Sequence, residues 1–120
     1  MGRPPVATEI RIRRGTACLE VAFEDGRRVS LPAEYLRVES PSAEVQGHAP
    51  EQKVLVAGKQ DVNIDTVEPI GNYAIRIRFT DGHDTGLYSW AFLQQLAAEY
   101  DQRWQAYVEA LAARGLRRSD

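Results

Sequence analysis

The sequence contains one short pattern twice, and this repeat is the feature that most restricts the fold. At an offset of 56 residues the chain matches itself in type at Gly15 and Gly71, Leu19 and Ile75, Val21 and Ile77, Phe23 and Phe79, Asp25 and Asp81, Gly26 and Gly82, and Leu31 and Leu87. Each copy has a glycine-containing turn, then alternating apolar residues, then an Asp-Gly pair, which is a strong β-hairpin signal. The repeat therefore predicts two related hairpin units.

The alternation of apolar and polar residues also predicts the extent of the strands. We expect strands near residues 8–14, 17–24, 28–31, 65–69, 73–80 and 84–88, with one face of each sheet buried. After the second unit, Ser89 can cap a helix whose apolar residues recur every three or four positions from Leu93 to Leu111. This pattern predicts one amphipathic helix, or two helices broken near Asp101, with Gly115 as the stop. The predicted fold class is α+β: two related antiparallel β-hairpin or meander units packed with a C-terminal α-helix.

Length and composition are those of one globular domain. The chain has 120 residues, of which 43% are hydrophobic and 27% are charged, close to the globular average. We expect a flexible N-terminus over residues 1–7, a single domain over 8–112 that includes the helix, and a flexible basic tail over 113–120. A single cysteine and an N-terminus without an apolar run favour the cytoplasm and give no sign of membrane contact. The net charge of -2 disfavours nucleic acid as a partner.

Between the two units lies a polar stretch, SPSAEVQGH, over residues 40–48. A long irregular loop inside a compact domain is usually functional or disordered. One interpretation is an iron or zinc site formed by His48, His83, Asp81 and Asp84, although nothing in the spacing brings the two histidines together. A catalytic His83 beside Asp84 is disfavoured, because adjacent strand residues point to opposite faces. We therefore expect no catalytic residue.

A second interpretation is a surface that binds a protein. Arg11 and Arg13 alternate with apolar residues, as do Arg76 and Arg78, so the four arginines would share one sheet face if their strands were neighbours. Such a face could receive an acidic partner, or it could be a solvated surface paired with glutamates. Trp90 and Trp104 would suit an interface if they were exposed, and an exposed hairpin edge could pair two copies into a homodimer.

Three stretches carry a resemblance to a known family: LPAEYLRVESPSAEVQGH, GKQDVNI and VEPIGNYAIRIRFTDGHDTGLYSWAFLQQL. Together they resemble the gamma-butyrobetaine hydroxylase-like N-terminal domain, a domain of unknown function found alone in bacteria. The resemblance spans about residues 8 to 97. Related domains are fused to gamma-butyrobetaine and trimethyllysine hydroxylases and to Mrp-type carriers of iron–sulfur clusters. The resemblance therefore implies an iron–sulfur carrier or an oxygenase as the protein partner.

In the hydroxylases the resembling domain holds a structural zinc through Cys-Pro-Cys-x-x-Cys and a histidine. The matching positions here are Ser40, Pro41, Ser42 and Val45, with His83 in the place of the histidine. Serine is a poor zinc ligand at neutral pH and valine is none, so we expect that zinc to be absent. The catalytic oxygenase domain has no counterpart in this chain.

The sequence thus predicts a non-catalytic accessory or protein-interaction domain linked to iron–sulfur or metal metabolism, without a bound cofactor. The open alternative is a metal-binding protein that uses His48, His83 and the nearby carboxylates.

Overall fold

A computed structural model describes residues 5–47 and 53–119 of the chain. In this part of the chain the elements follow the order β1 (Ala7–Arg13), β2 (Cys18–Phe23), β3 (Arg28–Pro32), α1 (Ala33–Val38), α2 (Ala43–Gln46), β4 (Ile64–Ile70), β5 (Ala74–Phe79), β6 (Leu87–Ser89), α3 (Trp90–Ala98) and α4 (Tyr100–Ala113). The predicted α+β fold class is confirmed. None of the helices in these two ranges is long and apolar enough to span a membrane.

The two repeats form two three-stranded antiparallel sheets, ordered β1-β2-β3 and β4-β5-β6. Their Asp-Gly turns match in detail, because Gly26 and Gly82 have φ angles of 89° and 90°. In both turns the aspartate accepts a hydrogen bond from a backbone N–H two residues later, at 3.0 Å for Asp25 and 3.1 Å for Asp81. The prediction of two related units is therefore confirmed, and each unit is a three-stranded meander.

The core lies between the inner faces of the two sheets and the helices. The alternating apolar residues of both repeats are at most 3% exposed and belong to one cluster with residues of α1 and α3: Leu19, Val21, Phe23, Ile75, Ile77, Phe79, Tyr35, Leu93 and Leu96. Burial of these side chains is the main favourable contribution to folding, at roughly 25 cal/mol per Å² of apolar surface. The period-two pattern thus positions both sheets around one interior.

The C-terminal helical segment is two helices. Ser89 caps α3, since its hydroxyl accepts a hydrogen bond from Phe92 N–H at 3.1 Å. The break lies at Glu99, close to the predicted position. Gly115 ends α4 with φ of 66°, and Leu116 N–H donates to Leu111 C=O at 2.9 Å, which satisfies a carbonyl at the helix end.

The segment after α4, which was predicted as a flexible basic tail, makes hydrogen bonds to the body of the domain. Gly58 N–H and Gln60 N–H donate to the carbonyls of Arg117 and Arg118, both at 2.9 Å. The guanidinium of Arg118 donates two hydrogen bonds, at 2.9 and 2.8 Å, to the carboxylate of Glu34 in α1. Residues 116–118 are therefore attached to the body of the domain, which the local sequence pattern could not indicate because the partners are far apart in the chain.

Candidate functional site

The polar loop after α1 folds back onto the second sheet unit. Ser42 is the N-cap of the short helix α2, where its Oγ accepts a hydrogen bond from Glu44 N–H at 3.2 Å. Gln46 Nε2 donates to the backbone carbonyl of Ser40 at 2.8 Å. These local bonds fix the loop so that its side chains face the turn between β5 and β6.

Five side chains from the loop and the turn form one hydrogen-bonded group, called here the polar cluster: Ser40, Ser42, Glu44, His83 and Thr85. Ser40 Oγ lies 2.9 Å from His83 Nε2, and Glu44 Oε2 lies 3.1 Å from His83 Nδ1. Ser42 Oγ lies 2.6 Å from Thr85 Oγ1. A neutral imidazole that donates from Nδ1 to Glu44 and accepts from the Ser40 hydroxyl satisfies both contacts. Both ring nitrogens of His83 are therefore hydrogen-bonded to side chains of the polar cluster.

Burial and the neighbouring Arg37 favour the neutral form of the His83 imidazole. Burial lowers the pKa of His83, and the nearby Arg37 guanidinium lowers it further, while Glu44 and Asp81 act in the opposite direction. Desolvation disfavours the charged form of a histidine. His83 is thus a hydrogen-bonding group in the interior rather than a surface cation.

Asp81 joins the turn to two other parts of the chain. Its Oδ2 lies 2.8 Å from Arg37 Nε and 2.7 Å from Lys59 Nζ, while Oδ1 accepts from His83 N–H. Burial alone would raise the pKa of Asp81, but the hydrogen bonds from Lys59, His83 N–H and Arg37 lower it to about 2. Asp81 is therefore a structural ion-pair partner and has no free carboxylate oxygen to offer a ligand.

The loop and the turn are in close contact at Gly86. A Cβ atom at this position would lie 2.5 Å from Ser40 Oγ and 3.3 Å from Tyr88 Cε1. Only a glycine allows the backbone of the turn to approach Ser40 this closely. The contact explains why a glycine precedes strand β6.

Ser40, His83 and Glu44 have the order of a nucleophile, a base and an orienting acid. A hydrolase would need the serine oxygen to reach a substrate carbonyl beside a set of oxyanion donors. Ser40 is 0% exposed, and the N–H of Ser42 points at the serine oxygen itself, at 3.3 Å. Ser40 and His83 are therefore the buried end of a hydrogen-bond chain whose Glu44 side chain is 64% exposed, and in this conformation the serine oxygen cannot contact a substrate.

The residues at the positions of the family zinc do not fit that metal. Ser40 and Ser42 offer hydroxyls that are already bonded to His83 and Thr85, and Val45 offers no ligand atom. Within residues 5–47 and 53–119, no group of three or more His, Cys, Asp or Glu side chains is placed to hold a metal ion. Asp84 lines a shallow groove on the outer face of the second sheet, together with Arg76 and Arg78. His48 lies outside the described residues.

The four arginines lie on two different sheets and do not form the single face that neighbouring strands would have created. Each one has a carboxylate partner on its own sheet: Arg11 with Glu9 at 2.9 Å, Arg13 with Glu20 at 3.1 Å, Arg76 with Glu68, and Arg78 with Asp65 at 3.5 Å. These pairs are exposed, and exposed ion pairs contribute little to stability. The arginines therefore lie on solvated surfaces and are paired with carboxylates, which is the second of the two possibilities given for them above.

Neither tryptophan is freely exposed. Trp90 is 8% exposed, and its Nε1 donates to Asn72 C=O at 2.8 Å. Trp104 packs between Tyr100 and Tyr107, with ring centroids 6.2 and 5.2 Å away, and the Arg118 guanidinium lies 5.1 Å from its ring centroid. Both side chains contribute to packing inside the domain.

A groove beside α4 is an accessible concave surface that the sequence pattern did not predict. Its volume is about 310 Å³, and we call it the α4 groove; it is lined by Val38, Glu39, Lys53, Val54, Leu55, Val56, Arg103, Ala106, Tyr107, Ala110 and Arg114. The stripe Arg103, Ala106, Tyr107 and Ala110 has helical spacing in the sequence. Two of its members are alanines, so hydrophobic periodicity alone did not distinguish this face from a solvated one.

Comparison with solved structures gives close matches to the fold. Two solution NMR structures match with TM-scores of 0.82 and 0.84 at 42% and 43% identity, covering 98% of this chain and 92% and 90% of the other chains. A crystal structure of a DUF971-family protein of unknown function from Acidithiobacillus ferrooxidans matches with a TM-score of 0.65 at 38% identity, covering 78% of this chain and 93% of that one. No curated protein matches the chain.

The family model described as gamma-butyrobetaine hydroxylase-like, N-terminal, matches residues 10–94. This range includes the polar cluster, the first half of α3 and the sheet units except the start of β1. The resemblance inferred from the sequence is thereby confirmed. The chain belongs to the gamma-butyrobetaine hydroxylase-like N-terminal family, whose domain has no established function.

Proposed function

We propose that this chain is a non-catalytic accessory domain that binds a protein partner. The observation that carries the proposal is that reactive side chains and accessible surface are in different places. Ser40 and His83, which could supply a nucleophile and a base, are 0% and 7% exposed. The accessible α4 groove is lined by aliphatic side chains, cations, Glu39 and Tyr107. Such a surface is suited to recognition by burial and charge.

The groove side chains support recognition rather than reaction. Glu39 is held by Lys53 and Arg103, and the hydroxyl of Tyr107 donates to the carbonyl of Val56 at 2.6 Å. Burial raises the pKa of Tyr107 to about 12, so this hydroxyl stays protonated at neutral pH. Among the described residues of the groove, no side chain is a histidine, cysteine or serine.

The partner class rests on the family resemblance. Related domains occur fused to iron–sulfur cluster carriers and to oxygenases, so we propose a cytoplasmic protein of one of these two classes as the partner. A second copy of the chain is the competing partner.

Site-specific photo-crosslinking in the native host tests the proposed function. A benzophenone side chain is introduced singly at Val54, Tyr73 and Val108, which are 49%, 57% and 41% exposed and lie on different parts of the surface. We expect at least one position to give a discrete adduct with a protein of a proposed class. Adducts at none of the three positions, or only with the chain itself, would overturn the proposal.

The Ser40→Ala variant separates recognition from catalysis in the same assay. Because Ser40 is buried, we expect the crosslinked adduct to form in unchanged yield. Loss of the adduct in a variant that remains folded by circular dichroism would show that the polar cluster participates directly.

Elemental analysis of untagged protein purified without chelator tests the metal-binding alternative. We expect neither wild type nor the His48→Ala, His83→Ala double variant to contain stoichiometric iron or zinc. A metal that is present in wild type and absent in the double variant would replace the proposed function with the alternative.

A further inference from the structure

The α4 groove has features that indicate what kind of partner segment it binds, and this inference rests on the proposed function. Its floor is aliphatic and aromatic, formed by Val38, Tyr107 and Ala110. A volume of about 310 Å³ is at the small end of ligand sites, which span roughly 300–1,000 Å³. The space is therefore suited to one or two apolar side chains rather than to a large cofactor.

The charges at the groove are mainly positive. Glu39 is the one carboxylate among the described lining residues, and its side chain is 6% exposed and lies 3.4 Å from Lys53 Nζ and 2.9 Å from Arg103 Nη1. Arg103 also forms an ion pair with Glu99, at 2.8 Å, so its guanidinium is paired with two carboxylates of this chain. Lys53, with 44% of its side chain exposed, keeps free donors.

Arg114 is the second cation available to a ligand. It lies at the C-cap of α4 and lines the groove. In the part of the chain that the structure describes, no carboxylate pairs with its guanidinium. Lys53 and Arg114 therefore favour an anionic occupant.

The backbone beside the groove indicates a peptide rather than a small molecule. Val54 N–H donates to Val45 C=O at 2.6 Å, and Val56 C=O accepts from the Tyr107 hydroxyl, so both neighbours of Leu55 are fixed. Within the described residues, the N–H and C=O of Leu55 make no hydrogen bond. Backbone groups without partners at the edge of an apolar groove can pair with the main chain of an incoming segment.

We infer that the α4 groove binds a short acidic peptide segment of a partner protein. One or two apolar side chains of the segment occupy the floor formed by Val38, Tyr107 and Ala110. Its main chain pairs with the backbone of Leu55, and its carboxylates are bound by Lys53 and Arg114.

Titration of a ¹⁵N-labelled sample with a synthetic peptide tests this inference. The probe is the hexapeptide Glu-Leu-Asp-Leu-Glu-Glu with blocked termini, and the matched control is Lys-Leu-Lys-Leu-Lys-Lys, which has the same leucines and the opposite charge. We expect the acidic peptide to shift the amide signals of Leu55, Val56 and Ala110. The basic peptide should leave these signals in place.

Charge-reversal variants give the quantitative part of the test. Arg114→Glu and Lys53→Glu are each expected to weaken binding of the acidic peptide by about ten-fold or more, because each replaces an attraction by a repulsion. Arg28→Glu, an exposed arginine of the first sheet, is the control and should change the Kd by less than about two-fold, since Arg28 does not line the groove and exposed charges that make no direct contact are screened by salt. Thermal melts of all three variants verify that they are folded.

The other outcomes overturn the inference. No amide shift at millimolar peptide, or equal weakening by the Arg28 control, removes the groove as a peptide site. Octanoate binding in the groove without peptide binding assigns the groove to small amphiphilic acids, and groove shifts on simple dilution assign it to a second copy. A partner adduct at any of the three crosslinking positions would then still support the proposed function, whereas partner adducts at none of them would remove both.

Discussion

At the scale of single residues, the polar cluster joins the loop to the second sheet by hydrogen bonds, at the positions for which the family resemblance implied metal ligands. Ser40 and His83 lie in direct contact at 2.9 Å, which is the spacing of an ordinary hydrogen bond. Hydroxyl groups and a neutral imidazole satisfy one another without a cation. Hydrogen bonds of Ser40 and Ser42 therefore hold the loop against the second sheet unit, while Val45 offers no ligand atom.

The close approach of Gly86 to Ser40 gives a prediction for a substitution at Gly86. Gly86→Ala should lower the free energy of unfolding by about 1–3 kcal/mol, because the added methyl group overlaps Ser40 Oγ and must displace it. Gly15→Ala is the matched control, since a Cβ at position 15 would meet no atom within 4 Å. Urea denaturation of both variants measures the difference, and equal stability of Gly86→Ala and wild type would contradict the close approach.

A double variant tests whether Ser40 Oγ is the atom that the added methyl group overlaps. Ser40→Ala removes the hydroxyl that the new methyl group meets, so the losses in the Gly86→Ala, Ser40→Ala protein should be smaller than the sum of the single losses. Additive losses would show that the methyl group is accommodated elsewhere.

At the scale of elements, the segment after α4 is held by α1 and by residues 58–60. The buried carboxylate of Glu34, with 8% of its side chain exposed, receives its ion pair from Arg118 across 84 positions of sequence. Neither residue is unusual in its local pattern. A basic C-terminal run is normally solvated. Here Arg118 forms an ion pair because the fold places Glu34 beside it.

This attachment gives a prediction for Arg118. Arg118→Ala should reduce the free energy of unfolding by about 1–3 kcal/mol, because it leaves the buried Glu34 carboxylate without its partner. Arg117→Ala is the control: its side chain is exposed and its contribution to the attachment is a backbone carbonyl, so a change within about 0.5 kcal/mol is expected. Chemical denaturation checks both, and equal effects would mean that the guanidinium of Arg118 is dispensable.

The element boundaries show how far a sequence of this kind can be interpreted. Alternation and turn chemistry are local, and they predicted both sheet units, the Ser89 cap and the stop at Gly115. The contact between Ser40 and His83 was not predicted, because a loop can return to many surfaces. The α4 groove and the pairing of Glu34 with Arg118 were missed, since both depend on residues brought together only by the complete fold.

At the scale of the whole molecule, Asp81 links the second sheet unit to α1 through Arg37 and to the connecting segment through Lys59. Its folded-state pKa of about 2 lies below the ordinary value of 3.8. A carboxylate with a lowered pKa stabilises the folded state above its unfolded pKa, and this contribution is lost as the pH falls through the folded value. The pKa of His83 is also lowered in the folded state. The stabilisation that depends on its neutral form is therefore lost as the pH falls below the ordinary value of 6.5.

The prediction concerns the stability of the whole domain in acid. Between pH 3.8 and about 2 wild type should lose at most about 2.5 kcal/mol through Asp81, since one pKa unit corresponds to about 1.4 kcal/mol. Asp81→Asn should be less stable at neutral pH and should lack this part of the acid dependence. Thermal melts across the pH range measure the two profiles.

Asp25→Asn is the control for this measurement, because Asp25 occupies the equivalent turn of the first unit. Its salt bridge is to Arg27, whose side chain is 67% exposed. Its acid profile should follow that of wild type. If instead Asp81→Asn followed wild type, the ion pairs of Asp81 with Arg37 and Lys59 would not contribute to stability.

The aromatic packing around Trp104 has a practical consequence. Trp104 lies 5.2 Å from the ring of Tyr107, a residue of the α4 groove, whereas the other tryptophan of the chain, Trp90, is hydrogen-bonded to Asn72. Replacing Trp90 by phenylalanine would leave Trp104 as the single tryptophan, which can be excited selectively at wavelengths where tyrosine does not absorb, and its neighbour Tyr107 lines the groove. The emission of this one indole would then report, without any attached dye, when a partner enters the groove and displaces the surrounding water.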